Sequence, residues 1–474
     1  MRIKPKRARL ANCHRTNVVA AFALALTASS AIGAGFQINE SSASGLGTAF
    51  AGGAAAAEDA TTLWSNVAGI ARIRERQAVG AVHFIKPSIK FSDDASAPAT
   101  SQALGSEGGD AGGLNIVPNF YLVAPLSSRW SVGLGLNAPY GLVTEYGDAW
   151  IGRFQAIKSS IRTINVNPGV AWRPASDVSL GLGLNYQRIG AEFTNRVNYS
   201  AALLNAAALN GIAPGSATFT AIAQASAGLE SGARVEGSDH AWGWNAGVLW
   251  ELDDKTRVGA HYRSSIDYRI AGDVKFTHPT PVVPAPLAAT VAALAAGVNA
   301  AALFDSGITS DVKLPAIVNL SYFTTLNDRW DILADAQWTQ WSTIQTLSFV
   351  RGNGALLQST PENFKNTWKL AIGANYRYNS DWVFRGGLAF DQSPVPILER
   401  TARLPDADRT WLALGLKYRV NSKLTLDAGA AYLAIKNATI GNSGNPASAA
   451  ANGRLAGHYD SHTLIASSQL SYSF

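Results

Sequence analysis

The chain has 474 residues, of which 47% are hydrophobic and 15% are charged, and its mean hydropathy is +0.04. Soluble globular proteins carry about 25% charged residues, so much of the surface of this protein is not expected to face water. A helical membrane protein needs apolar runs of about 20 residues and a higher mean hydropathy, so this class is not expected either. The net charge of +6 comes from basic residues near the N-terminus, without which bases and acids are equal in number, so neither disorder nor nucleic-acid binding is expected.

The first 33 residues have the features of a secretory signal peptide. A basic segment is followed by the apolar stretch Val18 to Leu26 and by the small residues Ala31 and Gly33. We expect cleavage before Ala34. Cys13, the only cysteine, lies in this segment, so the mature chain is expected to contain no disulfide and no cysteine-bound metal.

Residues 34–75 form a second region of distinct composition. They are rich in Ala, Gly and Ser, and they show no sustained alternation of apolar and polar residues. A segment this apolar and rich in glycine is not expected to fold alone or to remain exposed to water. We therefore expect it to pack inside the structure that the rest of the chain builds.

From residue 76 onward the apolar residues recur with a period of two, which is typical of β-strands. In the segment Arg409 to Val420, for example, the even positions from Leu412 onward are large and apolar, while Gly415 and Lys417 lie on the other face. Fourteen segments show this pattern. They are 78–90, 114–124, 129–140, 160–173, 177–195, 238–251, 256–274, 312–325, 329–348, 366–378, 381–391, 409–420, 423–436 and 462–474.

The connections between these segments alternate strictly between short turns and long loops. The short ones are 125–128, 174–177, 252–255, 326–328, 379–380 and 421–422. Tryptophans cluster near the strand ends, where a membrane–water interface would satisfy an indole. This arrangement predicts an all-β membrane protein, a 14-stranded antiparallel up-and-down β-barrel over residues 76–474, in the outer membrane of a Gram-negative bacterium.

Two long loops are unusual because they are apolar. Ala201–Leu229 and Pro279–Phe304 contain no charged residue, and both are rich in Ala and able to form helices. Pro281, Pro284 and Pro286 make the second a poor membrane-spanning helix. These loops are expected either to form an apolar surface that captures hydrophobic solutes or to pack among themselves.

Other functions find less support in the sequence. The histidines are scattered without a nucleophile motif, so no enzymatic activity and no cofactor are expected. His458 and His462 have a spacing compatible with a metal, but we expect them to be solvated, with no metal bound. A diffusion porin for hydrophilic solutes and an adhesive barrel remain open alternatives.

Several long segments of the chain form recognisable motifs. They are Ala34 to Glu40 with Ser44 to Gly47, Asn137 to Asp148, Trp250 to Ser264, Phe390 to Pro396, and Arg403 to Leu414. In these motifs the chain resembles the FadL/TodX family of long-chain fatty acid and hydrocarbon transporters of Gram-negative outer membranes. The resemblance extends from Ala34 to Phe474 and is specific, because the motifs are long and occur in the family's order.

The resemblance implies that residues 34–75 form a hatch inside the barrel and that a kink in the third strand opens the wall beside it. Pro139, Tyr140 and Gly141 are the expected kink, because Pro cannot donate to the ladder and Gly weakens pairing. The chain has Val67 where the family motif has proline, so a fixed φ is lost there. The expected hatch residues are Phe36, Asn39, Glu40, Asn66, Ala68 and Gly69.

The family also implies two basic residues that hold a fatty-acid carboxylate in the lumen. Their positions align with Asn195 and Thr360, so the neighbouring Arg196 and Lys365 are the candidates, although an offset of one residue in a strand reverses the side chain's direction. The resemblance implies a monomer that takes up fatty acids or, alternatively, aromatic hydrocarbons. Its expected partners are these hydrophobic small molecules together with outer-membrane lipid and lipopolysaccharide.

Overall fold

The structure is a computed structural model that describes residues 34–441 and 446–474, so the expected signal peptide lies outside the described residues. Twenty strands form one antiparallel sheet. They are β1 Gln77–Asp93, β2 Asn115–Pro125, β3 Trp130–Asn137, β4 Gly141–Glu145, β5 Lys158–Trp172, β6 Val178–Asn198, β7 Glu230–Glu251, β8 Thr256–Arg263, β9 Ile266–Thr277, β10 Ser306–Leu314, β11 Ile317–Thr325, β12 Trp330–Thr339, β13 Thr346–Arg351, β14 Leu356–Pro361, β15 Thr367–Arg377, β16 Trp382–Asp391, β17 Arg409–Arg419, β18 Leu424–Ile435, β19 Ala438–Gly441 and β20 Ala456–Ser473.

These strands build a closed barrel. β4, β9, β11, β13, β15 and β19 each continue the preceding strand after a short break, so the wall contains fourteen strands. β1 pairs with β20 from Gln77–Ser473 to Asp93–Gly457, which closes the sheet into a barrel. The predicted fold class, a 14-stranded antiparallel barrel, is confirmed.

Side chains alternate between lipid and lumen along each strand. On β6 the outward Leu182 is 54% exposed, whereas its inward neighbour Asn185 is buried. Aromatic residues stack across neighbouring strands beside the short turns, as in Trp130 with Trp172 and Trp382 with Tyr418, whose ring centroids lie 5.9 and 4.3 Å apart. This belt marks one boundary of the apolar band.

Several strands extend further than the sequence predicts. β7 begins at Glu230 rather than near 238, β10 begins at Ser306 rather than near 312, and β13 and β14 form a hairpin partly within a predicted loop. Beyond the apolar band the outward residues are charged, as with Arg234 and Glu236. The strands continue there without the apolar alternation that reveals a strand in the sequence.

The two apolar loops fold largely as helices, Tyr199–Leu209, Ala217–Ser226 and Ala285–Ala301, which we call the outer helices. Side chains of Asn198 and Ser216 cap the first two by accepting backbone N–H bonds. Leu203, Ile222 and Leu294 are among the buried residues of a core that the three helices share. Among the described residues, no helix is long and apolar enough to cross a membrane.

The N-terminal segment lies inside the barrel as three short helices, Ala43–Leu46, Gly53–Ala56 and Thr62–Ser65, followed by the 3-10 helix Val67–Arg72. Inward glycines of the wall make room for its backbone. A Cβ atom on Gly181 would lie 2.4 Å from the Ala68 nitrogen, and one on Gly259 would lie 1.9 Å from the Ala54 oxygen. The predicted plug is therefore present, and contact at this range excludes any side chain at these two positions.

This close contact yields a test of how the plug is seated. Gly259→Val should force the helix Gly53–Ala56 from the wall, because overpacking at a contact this short costs about 1–3 kcal/mol. We expect a higher ion conductance than wild type in planar lipid bilayers. Gly386→Val is the matched control, since a Cβ there meets nothing within 4 Å. Equal conductance of Gly259→Val and the control would contradict the predicted displacement.

Candidate functional site

The barrel wall is incomplete between β2 and β4. β2 pairs with β3 only from Pro125–Ser131 to Phe120–Leu136. After Asn137 the third wall strand breaks, and β4 resumes at Gly141, pairing with β5 and, within the described chain, with no residue of β2. Residues 115–119 of β2 therefore face residues 138–144 without a hydrogen-bonded ladder, and we call this opening the wall gap.

The wall gap is closed above and below. Below it lies the Phe120–Leu136 pair. Above it, Ala111 of the connection before β2 links β1 to β4, since its N–H donates to the Ile89 carbonyl at 2.9 Å and its carbonyl accepts from the Glu145 N–H at 3.0 Å. The opening is thus a window with fixed edges rather than a frayed strand end.

The kinked residues satisfy their backbone groups without β2. The Thr163 hydroxyl bonds both to the Tyr140 N–H and to the Tyr140 carbonyl, at 2.9 and 2.7 Å. The plug supplies the other partners, because the Gly141 N–H donates to the Phe36 carbonyl and the Ile38 N–H donates to the Pro139 carbonyl, each at 2.8 Å. The expected kink residues Pro139, Tyr140 and Gly141 thus lie where the plug contacts the wall gap.

An apolar cavity lies in the lumen above this contact. It has an empty volume of about 870 Å³, including its open mouth, and its walls come from inward residues of seven strands and from the connections above them. The lining residues are Phe36, Leu142, Ile161, Ile189, Ala191, Phe193, Val235, Gly237, Ile270, Ile308, Ser310, Val312, Ile344, Leu347, Phe349, Glu362, Phe364, Thr401, Arg403 and Leu404. Its lower part includes Phe36 of the plug and Leu142 of β4, so the cavity reaches the wall gap.

Glu362 and Arg403 are the charged residues of this lining, and both belong to connections outside the spanning strands. The Arg403 guanidinium makes only long hydrogen bonds, at 3.3 Å to the Ser159 hydroxyl and at 3.4 Å to the Lys158 carbonyl and to the Asn195 side-chain oxygen. Within the described residues no carboxylate lies within 4.0 Å of it. Arg403 is therefore a cation in an apolar cavity with its strongest bonding capacity unused.

Burial changes the ionisation of both residues. It raises the pKa of the Glu362 carboxyl to about 8, although the Arg403 charge opposes this. It lowers the pKa of the Arg403 guanidinium to about 10, which still leaves the group charged at neutral pH. At neutral pH the cavity therefore holds a charged Arg403 and a largely neutral Glu362.

The residues that the sequence singled out for carboxylate binding lie elsewhere. Arg196 is 32% exposed and lies 3.5 Å from Asp148 and 3.8 Å from Glu230. Lys365 is exposed, and its N–H donates to the Pro394 carbonyl at 2.9 Å. Neither lines the apolar cavity, and their role in binding a carboxylate remains a prediction.

The sequence did not single out Arg403 as a residue of the lumen cavity. It occurs in the segment Arg403 to Leu414 that contributed to the family resemblance, yet nothing in a loop sequence indicates that it folds back into the lumen. In the structure it contacts Asn195, one of the two positions that align with the family's basic residues. The cation therefore reaches this region of the lumen from a connection rather than from a strand.

Polar side chains anchor the plug to the barrel. The Asn66 amide donates to the carbonyls of Ala54 and Val248 at 2.7 and 2.9 Å, while its oxygen accepts from the Ala68 N–H at 3.1 Å. Gly69 is close-packed, since a Cβ there would lie 2.2 Å from the Thr62 hydroxyl oxygen. Val67 occupies the first turn of the 3-10 helix that Asn66 caps.

Further contacts hold other parts of the plug. The Glu40 carbonyl accepts from the Asn119 side chain of β2 at 2.7 Å, whereas the bond from Gln37 to Asn39, at 3.3 Å, lies within the plug. Arg385 pairs with Glu58 of the plug at 2.7 Å and also with Asp427 of the wall. Because charges buried in this way are stable only when paired, these contacts favour a plug that stays docked.

Asn66 offers a test of this anchoring. Asn66→Ala removes three hydrogen bonds and leaves two buried carbonyls without this donor, at about 1–3 kcal/mol for an unsatisfied group. We expect amide hydrogen exchange of residues 66–72 to accelerate roughly ten- to hundredfold. Asn205→Ala, on the exposed surface of an outer helix, is the control and should leave this exchange unchanged. Unaltered exchange in Asn66→Ala would show that this side chain does not hold the plug.

Comparisons with known proteins agree with this geometry. Residues 24–474 match the model of the family described as outer membrane protein transport protein (OMPP1/FadL/TodX). The chain is similar to the long-chain fatty acid transport protein of Escherichia coli K12, with 30% identity over 88% of this chain and 92% of that protein. It is also similar to the 47 kDa outer membrane protein of Pasteurella multocida, with 31% identity over 93% of this chain and 97% of that protein.

Solved structures share the architecture. A Pseudomonas aeruginosa FadL homologue superposes with a TM-score of 0.81 at 26% identity, covering 93% of this chain and all of that one. The Pseudomonas putida toluene transporter TodX shares the fold with a TM-score of 0.63 at 17% identity, covering 88% and 94%. The predicted resemblance and the outer-membrane location are confirmed, and the chain belongs to the OMPP1/FadL/TodX family of outer membrane transport proteins.

Proposed function

We propose that the protein takes up hydrophobic molecules through the outer membrane and that long-chain fatty acids are its main substrates. The observation that carries this proposal is the apolar lumen cavity with Arg403 in its lining. Burial of an alkyl chain contributes about 0.8 kcal/mol per CH₂. Arg403 adds a charge-assisted contact to the carboxylate. The relative from E. coli is named as a long-chain fatty acid transport protein, which supports this reading.

Capture would begin at the outer helices. Most of their large apolar side chains pack against one another, but Leu209 at the end of the first helix and Val282, which precedes the third, are 79% and 86% exposed. These residues give an acyl chain an apolar first contact above the membrane. The same loops also pack internally, as the alternative interpretation of their sequence anticipated, so only part of their apolar surface is available for capture.

Exit would occur sideways through the wall gap. The cavity ends at Phe36 and Leu142, which flank this opening, and the anchors at Asn66 and Glu58 favour a plug that stays in place. In this proposal residues 34–75 act as the hatch and residues 76–474 as the barrel. All parts of the route belong to one chain, so a monomer suffices, and the proposal contains no enzymatic step or cofactor.

The choice between fatty acids and neutral hydrocarbons depends on Arg403. Arg403→Ala should weaken palmitate binding roughly ten- to hundredfold, because a hydrogen bond to a charged group contributes about 1.5–3 kcal/mol. Binding of palmitate methyl ester should stay within twofold of wild type. Isothermal titration calorimetry of the detergent-solubilised protein measures both ligands, and hexanoate should bind far more weakly than palmitate.

Arg196→Ala and Lys365→Ala are the matched controls for this experiment. Each removes one cation that does not line the cavity, and we expect little change in palmitate binding. Equal losses for the acid and the ester in Arg403→Ala, or no loss for either, would contradict a carboxylate anchor and favour uncharged hydrocarbons. Equal affinity for hexanoate and palmitate would overturn hydrophobic capture altogether.

Ionisation of Glu362 should make the binding of an anionic ligand depend on pH. Because its pKa is about 8, the carboxyl is mostly neutral at pH 6.5 and ionised at pH 9, where its charge competes for Arg403. Arg403 stays charged through this range, since its pKa is about 10. A permanently ionised alkyl sulfonate should therefore bind roughly three- to tenfold more weakly at pH 9 than at pH 6.5, for a competing interaction of about 1 kcal/mol.

The control for this titration is Glu362→Gln, which should bind the sulfonate equally at both pH values. The sulfonate is used because its own charge does not change over the range. A flat profile in wild type, or the same decline in Glu362→Gln, would show that Glu362 does not control the anchor.

A further inference from the structure

A concave charged surface lies on the outside of the barrel, on the opposite side of the wall from the lumen cavity. It has an empty volume of about 1410 Å³, including the open solvent above it, and spans outward residues of β5, β6, β7 and β9. We call it the outer charged patch. Its lining includes the cations Arg162, Arg188, Arg234 and Lys275 and the acids Glu192, Glu236 and Asp273.

The height of the patch places it at the membrane boundary. Below it on β6 the outward residues are apolar up to Tyr186, and below it on β7 they are apolar up to Trp242. Tyr186 and Trp242 are opposite each other in the ladder, and their ring centroids lie 4.9 Å apart. Arg188 follows directly above, so the patch begins where lipid acyl chains end and headgroups begin.

Only some of the charged residues of the patch form ion pairs. Glu192 lies 3.3 Å from both Lys158 and Arg234, and Arg234 also lies 2.7 Å from Glu236. By contrast, no described carboxylate lies within 4.0 Å of Arg162 or Arg188. The two cations nearest the apolar band therefore lack an ion-pair partner, while the acids lie one row or more further from the membrane.

The backbone register forms a shallow site between these two arginines. Arg162 of β5 lies opposite Gly190 of β6, and Arg188 lies two residues along β6, so their Cα atoms are diagonal neighbours about 7–8 Å apart. A Cβ on Gly190 would meet nothing within 4 Å. Ser238 lies opposite Gly190 on the other side, and Ala271 lies opposite Ser238. Small residues thus line the floor, and the guanidinium groups rise at its edge.

We propose that the outer charged patch binds the headgroup of a diphosphorylated glycolipid of the outer leaflet, the lipid A part of lipopolysaccharide. The guanidinium fork of arginine matches phosphate geometry and forms charge-assisted bonds to it. The adjoining Tyr186 and Trp242 pack against the acyl chains of the same molecule, which a free phosphate could not use. Ser238 and the carboxylates of Glu192 and Glu236 face the sugar hydroxyls. Basic pockets at membrane surfaces hold anionic lipid headgroups in this way.

The test compares the purified full-length barrel with Arg162→Gln/Arg188→Gln by native mass spectrometry in detergent. We expect diphosphorylated lipid A to bind at least tenfold more weakly to the double variant than to wild type. Lys86→Gln/Lys90→Gln is the matched control, because these exposed cations also face outward above apolar residues but lie on β1, away from the patch. It should bind lipid A within twofold of wild type. Heat-modifiable migration on gels verifies that each variant is folded.

Three further ligands separate the possible sources of the interaction. Wild type should bind dephosphorylated lipid A and phosphatidylglycerol at least tenfold more weakly than diphosphorylated lipid A, and 10 mM inorganic phosphate should not displace the latter. Equal losses in both double variants would indicate nonspecific charge attraction and would overturn the proposal. So would displacement by inorganic phosphate, or equal binding of the dephosphorylated lipid. Arg162 and Arg188 do not line the lumen cavity, so a loss of lipid A binding in the double variant is distinguishable from a failure of the proposed fatty-acid binding.

Discussion

A polypeptide that crosses lipid must satisfy each of its backbone hydrogen-bonding groups, and this constraint explains how the barrel tolerates an opening in its own wall. Where β4 separates from β2, the kink residues Pro139, Tyr140 and Gly141 bond instead to the Thr163 hydroxyl and to the plug backbone at Phe36 and Ile38. The plug is therefore part of the wall as well as the content of the lumen. Without the plug, the Pro139 carbonyl and the Gly141 N–H would lose these partners beside the membrane, so the opening in the wall depends on the plug.

The need to hold the plug against the wall also explains which residues face the interior of the barrel. Inward glycines such as Gly181 and Gly259 allow the plug backbone to approach the wall, and Asn66 and Arg385 fix it by directional bonds. Above the plug the inward residues become large and apolar, forming the cavity around Phe193 and Ile270. The lumen is thus divided into a closely packed lower part and an apolar upper part, with the wall gap at the boundary between them.

The sequence predicted those features that repeat along the chain. Period-two alternation and the alternation of turns and loops were sufficient for fourteen strands, because lipid and lumen impose opposite preferences on successive residues. Strand ends beyond the membrane, as at Glu230 and Ser306, were not predictable, since the outward side there faces water and the alternation disappears. Arg403 was not predicted as a site residue because its position depends on how a long connection folds over the lumen. Arg196 and Lys365 were instead predicted as the carboxylate ligands because they lie close in sequence to the aligned positions Asn195 and Thr360.

Arg403 belongs to a connection between strands and not to the barrel wall, and the two locations tolerate substitutions differently. A residue in the wall must meet the demands of membrane insertion, strand pairing and lumen chemistry at once, so few substitutions there are tolerated. A residue supplied by a surface loop is free of the first two demands. If Arg403 binds the carboxylate as proposed, exchanging the loop around it would alter which head groups the cavity accepts while leaving assembly of the barrel unchanged. The substrate range of such a protein could then change without a change in its insertion into the membrane.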